Sequence, residues 1–189
     1  FINENRGREY QEEVRMVESY PKRNNVLKTI IDHTNPCHNI LLLVNHIKHI
    51  EDVKRWIENH YPNRKVSVIT GATKRKERSD IRTGIENEDG TVLVATYATM
   101  STGVNIPKLH EVILYANCKS KIKVLQTIGR GLRKHATKDK IILYDIVDDL
   151  SYQTNRGRVV DNYLVKHFKE RCEYYKEQEF PVITMKLDI

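Results

Sequence analysis

Residues 40–70, ILLLVNHIKHIEDVKRWIENHYPNRKVSVIT, change hydrophobic period twice. ILLLVN (40–45) is an unbroken apolar run, the pattern of a strand buried on both faces of a parallel sheet. In the segment that follows, Ile47, Ile50, Val53 and Ile57 recur at helical spacing with charged residues between them, as on an amphipathic helix. KVSVIT (65–70) returns to a short β-branched run and ends at Gly71. Strand, helix and strand in succession form a crossover unit, which joins parallel neighbours.

The same alternation continues outward. KRKERSDIRTGIEN (74–87) reads as a charged helix, TVLVAT (91–96) as a third strand and EVILYA (111–116) as a fourth. KVLQTIGRGLRK (123–134) reads as a helix and KIILYDIV (140–147) as a fifth strand. The expected fold class is α/β, a three-layer sandwich with a mainly parallel central sheet and flanking helices. Before the sheet, REYQEEVRMVESY (8–20) and RNNVLKTIIDH (23–33) read as two helices broken by Pro21. After it, residues 158–178 read as a long charged helix, with Phe168 and Tyr175 as core residues, and FPVITMKL (180–187) as a closing strand. SYQTNRGR (151–158) is the best linker. This gives three expected parts: helices over 1–35, the sheet domain over 36–150, and a tail over 151–189 that packs back on the domain.

Thirty-two Lys and Arg against 25 Asp and Glu leave a net charge of +7 and a pI near 9.2. That excess suits a polyanionic partner or a plain solvated basic surface. Cys37, Cys118 and Cys172 are isolated, without a CxxC pair, so buried thiols in a reducing compartment are expected, with no disulfide framework and no zinc site. His46 and His49 share a helix face without a third ligand in view, so no metal site is expected. No apolar run is long enough to cross a membrane and no signal peptide is visible. The expectation is a cytoplasmic protein without membrane contact. A chain starting at Phe1 also suggests a piece of something longer.

In an open parallel sheet, ligands meet the loops at the carboxyl ends of the strands. After the second strand comes TGATKRKER (70–78), with Gly71 at the strand end and Lys74, Arg75, Lys76 and Arg78 across the helix start. Glycine lets a phosphate backbone approach, and the cations supply charge beside it. TYATMSTGVNIP (96–107) follows the third strand, with hydroxyls from Thr96, Ser101 and Thr102 and backbone access at Gly103. A turn-rich connection would look much the same. NCKSKIKVLQTIGRGLRKH (117–135) follows the fourth strand. On a helix its Gln126, Gly129, Arg130 and Arg133 fall at i, i+3, i+4 and i+7, one face. Gly129 and Gly131 each cost a helix about 1 kcal/mol relative to Ala, so they need a packing or contact reason. An arginine fork fits phosphate oxygens and can stabilise charge developing in phosphoryl transfer.

These residues resemble a known family. QTIGRGLR matches motif VI of the superfamily 2 helicases, Q-x-x-G-R-x-x-R, and VLVATYATMSTGVNIP is similar to their motif V. LLLVNHIKHIEDV sits where motif IV does, and TGATKRKER is similar to the glycine-to-arginine segment between them. Order and spacing agree from about residue 38 to 148. The resemblance implies a RecA-like fold, specifically the second motor domain of such a helicase, and within the family the bacteriophage recombination helicases are most similar. It implies that Arg130 and Arg133 reach the ATP γ-phosphate across an interdomain cleft, Arg133 being the better arginine finger. It implies that Gln126, with Gly129, couples nucleotide to domain closure, and that Gly103, Ser101 and Thr102 touch nucleic-acid backbone and nucleotide. Gly71, Lys74, Arg78 and Thr96 fall at positions implied to lie near the bound strand. Asn105 stands where many relatives have an aspartate near the ribose, which puts a ribose contact there in doubt.

No GxxxxGK followed by Ser or Thr occurs, and no DExH-type motif, so the phosphate cradle is missing. ATP and Mg2+ are therefore expected as cofactors, with the Mg2+ ligands on an N-terminal RecA-like domain of the same parent chain, and this chain alone is expected to hydrolyse nothing. DIVDD (145–149) is expected to cap its strand or face solvent. DNA, branched or single-stranded, is the implied partner, stalled forks and Holliday junctions the implied substrates, and a monomeric motor the implied state. Two rivals stay open: another superfamily 2 motor, such as a restriction-type translocase or an RNA helicase, and a non-catalytic nucleic-acid-binding module.

Overall fold

The computed structural model describes residues 6–101, 106–118, 129 and 138–187, with residues 6–8 and 101 described by their backbone alone. The chain divides into two compact units, one of His33–Ile146 and one of Phe1–Asp32 with Val147–Ile189.

His33–Ile146 holds the sheet. Its strands are β1 (Ile40–Val44), β2 (Val66–Ile69), β3 (Val92–Thr96), β4 (Glu111–Leu114) and β5 (Ile142–Asp145), in the order β2-β3-β1-β4-β5. Every pair is parallel. Position explains composition. The three inner strands, β3, β1 and β4, are buried at every residue, as their unbroken apolar runs require. The edge strands β2 and β5 are mostly half-exposed and carry Ser67, Tyr144 and Asp145. The chain steps outward from β1 to β2 through α3 (Ile47–His60) and back to β3 through α4 (Arg75–Asn87). Two right-handed crossovers in opposite directions put these helices on opposite faces. The α3 stripe buries Ile50, Val53 and Ile57, each worth roughly 1.5–3 kcal/mol of transfer free energy, whereas Ile47 in its first turn is exposed.

At the amino ends of the strands Asn39, fully buried, works as a polar staple. Its amide donates to the carbonyls of Ile85 and Glu88 at the end of α4, and its side-chain oxygen accepts from Thr91 N–H. Gly90 turns the chain between α4 and β3 at φ +70°, where a Cβ would stand 2.6 Å from the Pro36 carbonyl oxygen. Only glycine fits there.

The other unit joins the two ends of the described chain. α1 (Arg6–Glu18) packs Val14 and Val17 against Leu164 of α6 (Tyr163–Glu177). Asn162 makes no side-chain cap for α6. Glu13 of α1 does so instead, accepting from the N–H groups of Tyr163 and Leu164 and from the Asn162 amide, where the helix leaves donors unsatisfied. Arg23, at the start of α2 (Arg23–His33), is buried and grips Asp148 through Nε and Nη2, the latter at 2.9 Å. Asp148 of the DIVDD segment therefore faces a buried guanidinium, not solvent as expected.

Three further expectations change. The 151–158 linker is part of an antiparallel hairpin, β6 (Tyr152–Gln153) with β7 (Val159–Val160), and this occupies the segment where the last helix was expected to begin. The closing strand is absent among the described residues: 180–187 have no regular structure, and Val182, Ile183, Met185 and Leu187 are exposed. Glu179 takes φ +53° while Phe180 and Glu179 N–H groups bond back to Tyr175 and Lys176 carbonyls, an αL stop to the helix, and Pro181 then lacks a ladder donor. Of the thiols, Cys118 is buried, but Cys172 is intermediate and Cys37 exposed, because Cys37 lies in a surface turn whose Asn35 side chain accepts its N–H. Tyr175 is buried as expected, and Phe168 is half-buried beneath the Arg171 guanidinium.

Candidate nucleic-acid interface

The strand order sets the carboxyl ends of β2, β3, β1 and β4 side by side, which brings the motif-bearing loops to one edge of the sheet. Both described loops open with Thr-x-x-Thr, Thr70–Thr73 after β2 and Thr96–Thr99 after β3. A threonine three residues from another can satisfy the turn's donors with its hydroxyl. In the first loop Thr70 N–H donates to Thr73 Oγ1 at 2.9 Å and Thr73 N–H returns to Thr70 O. In the second, the two hydroxyls meet at 2.8 Å and Thr99 N–H donates to Thr96 Oγ1, capping the short helix α5 (Tyr97–Ser101).

Arg78, in the first turns of α4, folds back on its own loop. Its Nε donates to Thr73 O at 2.9 Å and its Nη2 to Thr70 O and Gly71 O at 3.0 and 3.2 Å. Its rigid fork thus holds three carbonyls that no ladder satisfies. Thr96, only 7% exposed, likewise directs its hydroxyl into the fold. Both side chains shape loops rather than present themselves to a ligand.

The surface offered outward is different. Gly71 is exposed, and nothing lies within 4 Å of where its Cβ would be, so an external backbone has room to approach. Lys74, the N-cap residue of α4, makes no side-chain cap, and Lys74, Arg75 and Lys76 are all exposed. None of the three has an ion pair among the described residues. Helix amino termini carry partial positive charge and favour acids. Three cations there oppose the local preference, and an anion would relieve them.

Strand ends are also cross-tied. Tyr97 Oη donates to Ala116 O at 2.6 Å, Asn45 Nδ2 to Asn117 O at 3.1 Å, and Ala116 N–H to Leu43 O. Sequence reasoning placed Thr70 at the strand end without its bonding role and missed Thr73, Tyr97 and Asn45; the repeated Thr-x-x-Thr was the available signal for the threonines. Gly129 is helical and exposed, with nothing within 4 Å of its Cβ position among the described residues. Ser101 closes α5. Thr102, Gly103, Asn105, Gln126, Arg130 and Arg133 lie outside the described residues.

Several displaced titrations form a network that begins at the opposite, amino-terminal ends of β4 and β5. Burial, then His38, Lys138 and Lys108, push His110 down to about 4. Burial lowers Lys138 to about 8, and burial with the Glu111 carboxylate raises Tyr144 to about 12. His38 lies 2.7 Å from buried Glu111 and stacks on His110. This is a network internal to the fold. Among the described residues no group of three His, Cys, Asp or Glu side chains is placed to hold a metal ion, and no helix is long and apolar enough to cross a membrane.

The helicase conserved C-terminal domain model matches residues 22–135, more than half of the chain. ATP-dependent DNA helicase UvsW of Enterobacteria phage T4 is 33% identical over 195 residues, an alignment covering 100% of this chain and 38% of that protein. The crystal structure of T4 UvsW superposes with a TM-score of 0.74 at 35% identity, over 90% of this chain and 35% of that one. This chain thus spans little more than a third of that relative. The C-terminal domain of the DEAD-box protein Dbp5 matches with a TM-score of 0.61 at 13% identity, over 85% of this chain and 82% of that domain, a likeness of fold alone. The sheet is that of a RecA-like helicase C-terminal domain.

Proposed function

The chain belongs to the helicase conserved C-terminal domain family, and on that premise we propose that it is the second motor domain of an ATP-dependent DNA helicase or translocase acting on branched recombination and replication intermediates. The relationship to UvsW supports ATP and DNA as the ligands. The observation that carries the nucleic-acid side is the exposed cluster Lys74, Arg75 and Lys76, without an ion pair among the described residues, beside the open face of Gly71.

In this reading ATP sits between this domain and a first RecA-like domain of the parent protein, which also supplies the Mg2+ ligands. Mg2+ neutralises phosphate charge when bound there. Arg130 and Arg133 stabilise the γ-phosphoryl charge in transfer, Arg133 as the finger, and Gln126, Gly129, Gly103 and Asn105 relay nucleotide state to closure. Gly71 and Lys74 meet the strand's phosphates, with Ser101 and Thr102 from the neighbouring loop. Arg78 and Thr96 are positioning residues, since their polar atoms hold the loops that make those contacts. Cross-ties between strand ends let the loops move together, so domain closure is transmitted to the bound strand. The motor works as a monomer, in the cytoplasm, which is the host's if the protein is a phage's.

The test is DNA-stimulated ATP hydrolysis by the full-length parent protein, wild type against Arg133→Ala, with DNA binding measured in both. Hydrolysis is expected to fall by about 10³-fold or more while binding survives. Unchanged hydrolysis removes Arg133 from the mechanism and makes Arg130 the next candidate. A wild type stimulated by RNA alone gives the RNA-helicase reading, and one that binds nucleic acid without hydrolysing ATP gives the binding module.

A further inference from the structure

The β6–β7 hairpin has no role in the reading above, yet its construction is specific. Residues 150–160, LSYQTNRGRVV, contain two arginines and no acid. Thr154 N–H donates to Arg158 O, Gly157 N–H to Thr154 O, and Arg158 N–H to Thr154 Oγ1. Gly157 stands at φ +76°. This is a three-residue hairpin loop, a type I turn followed by a left-handed glycine. Gln153 Nε2 donates to Gly157 O and locks the turn from the side. Its tip is held by four hydrogen bonds, unlike a linker.

The tip presents cations that no acid among the described residues neutralises. Arg156 and Arg158 are exposed and have no ion pair among the described residues. The acids nearest in sequence are engaged elsewhere: Asp148 with Arg23, Asp149 with Ser151 N–H, and Asp161 with Lys169. Register pairs Tyr152 with Val160, and Thr154 bonds Arg158. In an antiparallel ribbon, directly paired residues share a face, and so do residues two apart. Tyr152 and Arg158 therefore lie on one face, and Tyr152 is 42% exposed. An aromatic ring and a guanidinium side by side match the two parts of an unpaired nucleotide, since the ring stacks on a base and the fork takes the phosphate. Bases inside a duplex are already stacked, so this pairing selects single strands.

We propose that the β6–β7 hairpin is a contact for single-stranded DNA separate from the loops after β2 and β3, with Arg156 and Arg158 on phosphates and Tyr152 stacked on a base. It rests on the reading of the protein as a DNA motor and adds a strand-selective site to it. The full-length parent protein is titrated by fluorescence anisotropy against an oligothymidylate of about 20 nucleotides and a blunt duplex of equal length, over a range of salt. Arg156→Ala/Arg158→Ala should reduce the slope of log affinity against log salt on the single strand by about 1.4, or ~0.7 per phosphate contact. Tyr152→Ala should weaken single-strand binding by about 5- to 150-fold, with Tyr152→Phe close to wild type and duplex binding unchanged. Far-UV circular dichroism and thermal unfolding verify that each variant is folded. Wild-type slope and affinity in both Ala variants would overturn the hairpin site and leave the motor reading intact. Equal losses on both DNAs would overturn the single-strand assignment, and a wild type that binds neither DNA would overturn hairpin and motor readings together.

Discussion

His110 shows how one buried side chain sets a pH dependence. Its Nδ1 accepts the Asn39 N–H at 3.0 Å, a bond that needs the neutral ring, and its neighbours His38, Lys108 and Lys138 add positive charge, opposed by Asp89. With the folded value near 4 and the ordinary value of 6.5 when unfolded, the unfolded chain binds more protons between those limits. Stability is therefore full above pH 6.5 and is lost as pH falls toward 4. The loss is on the order of 3 kcal/mol. Urea midpoints measured across this window should fall with pH in the wild type and less steeply in His110→Asn; equal slopes would show that another group carries the effect.

Among elements, α6 starts with a cap borrowed from α1. Glu13→Ala removes three acceptor contacts at the Asn162–Leu164 turn and should lower stability by about 1–2 kcal/mol, measured by urea unfolding. Glu13→Gln, which keeps an acceptor, should recover part of it. Such a partner was not legible in sequence, because Glu13 and Leu164 are 151 positions apart. The inner strands were legible, since burial on both faces leaves a signature in ILLLV and VLVAT that needs no knowledge of partners. The hairpin was not: its strands are two residues each, too short to show alternation, and Thr-Asn-Arg-Gly-Arg resembles a linker until Gly157 is seen to close a turn. FPVITMKL has the composition of a strand, but the αL stop at Glu179 and the missing donor of Pro181 send it outward. At the candidate site, motif order pointed to the loops after β2 and β3. It left open which polar side chains face outward; Arg78 and Thr96 turn inward because carbonyls and hydroxyls of their own loops are within reach.

For the molecule as a whole, a net charge of +7 matters less than where charge is left unpaired. Several surface cations are paired, as Lys28 with Asp32, Lys65 with Glu88 and Arg82 with Glu86, while Lys74, Arg75 and Lys76 have no ion pair among the described residues. Replacing those three by Ala in the full-length protein should lower the salt slope of DNA binding by roughly 2–2.7, about 0.7–0.9 per lost phosphate contact, measured by anisotropy. An unchanged slope would move the backbone contact off α4. The unit built from both chain ends bears on a different matter, the order of events during synthesis. Val14 and Val17 leave the ribosome about 150 residues ahead of Leu164 and the turn that Glu13 caps, an interval of roughly 8–30 s at ordinary elongation rates. Until then α1 is a nascent amphipathic segment with its apolar stripe uncovered. That interval closes only after the whole parallel sheet has been translated.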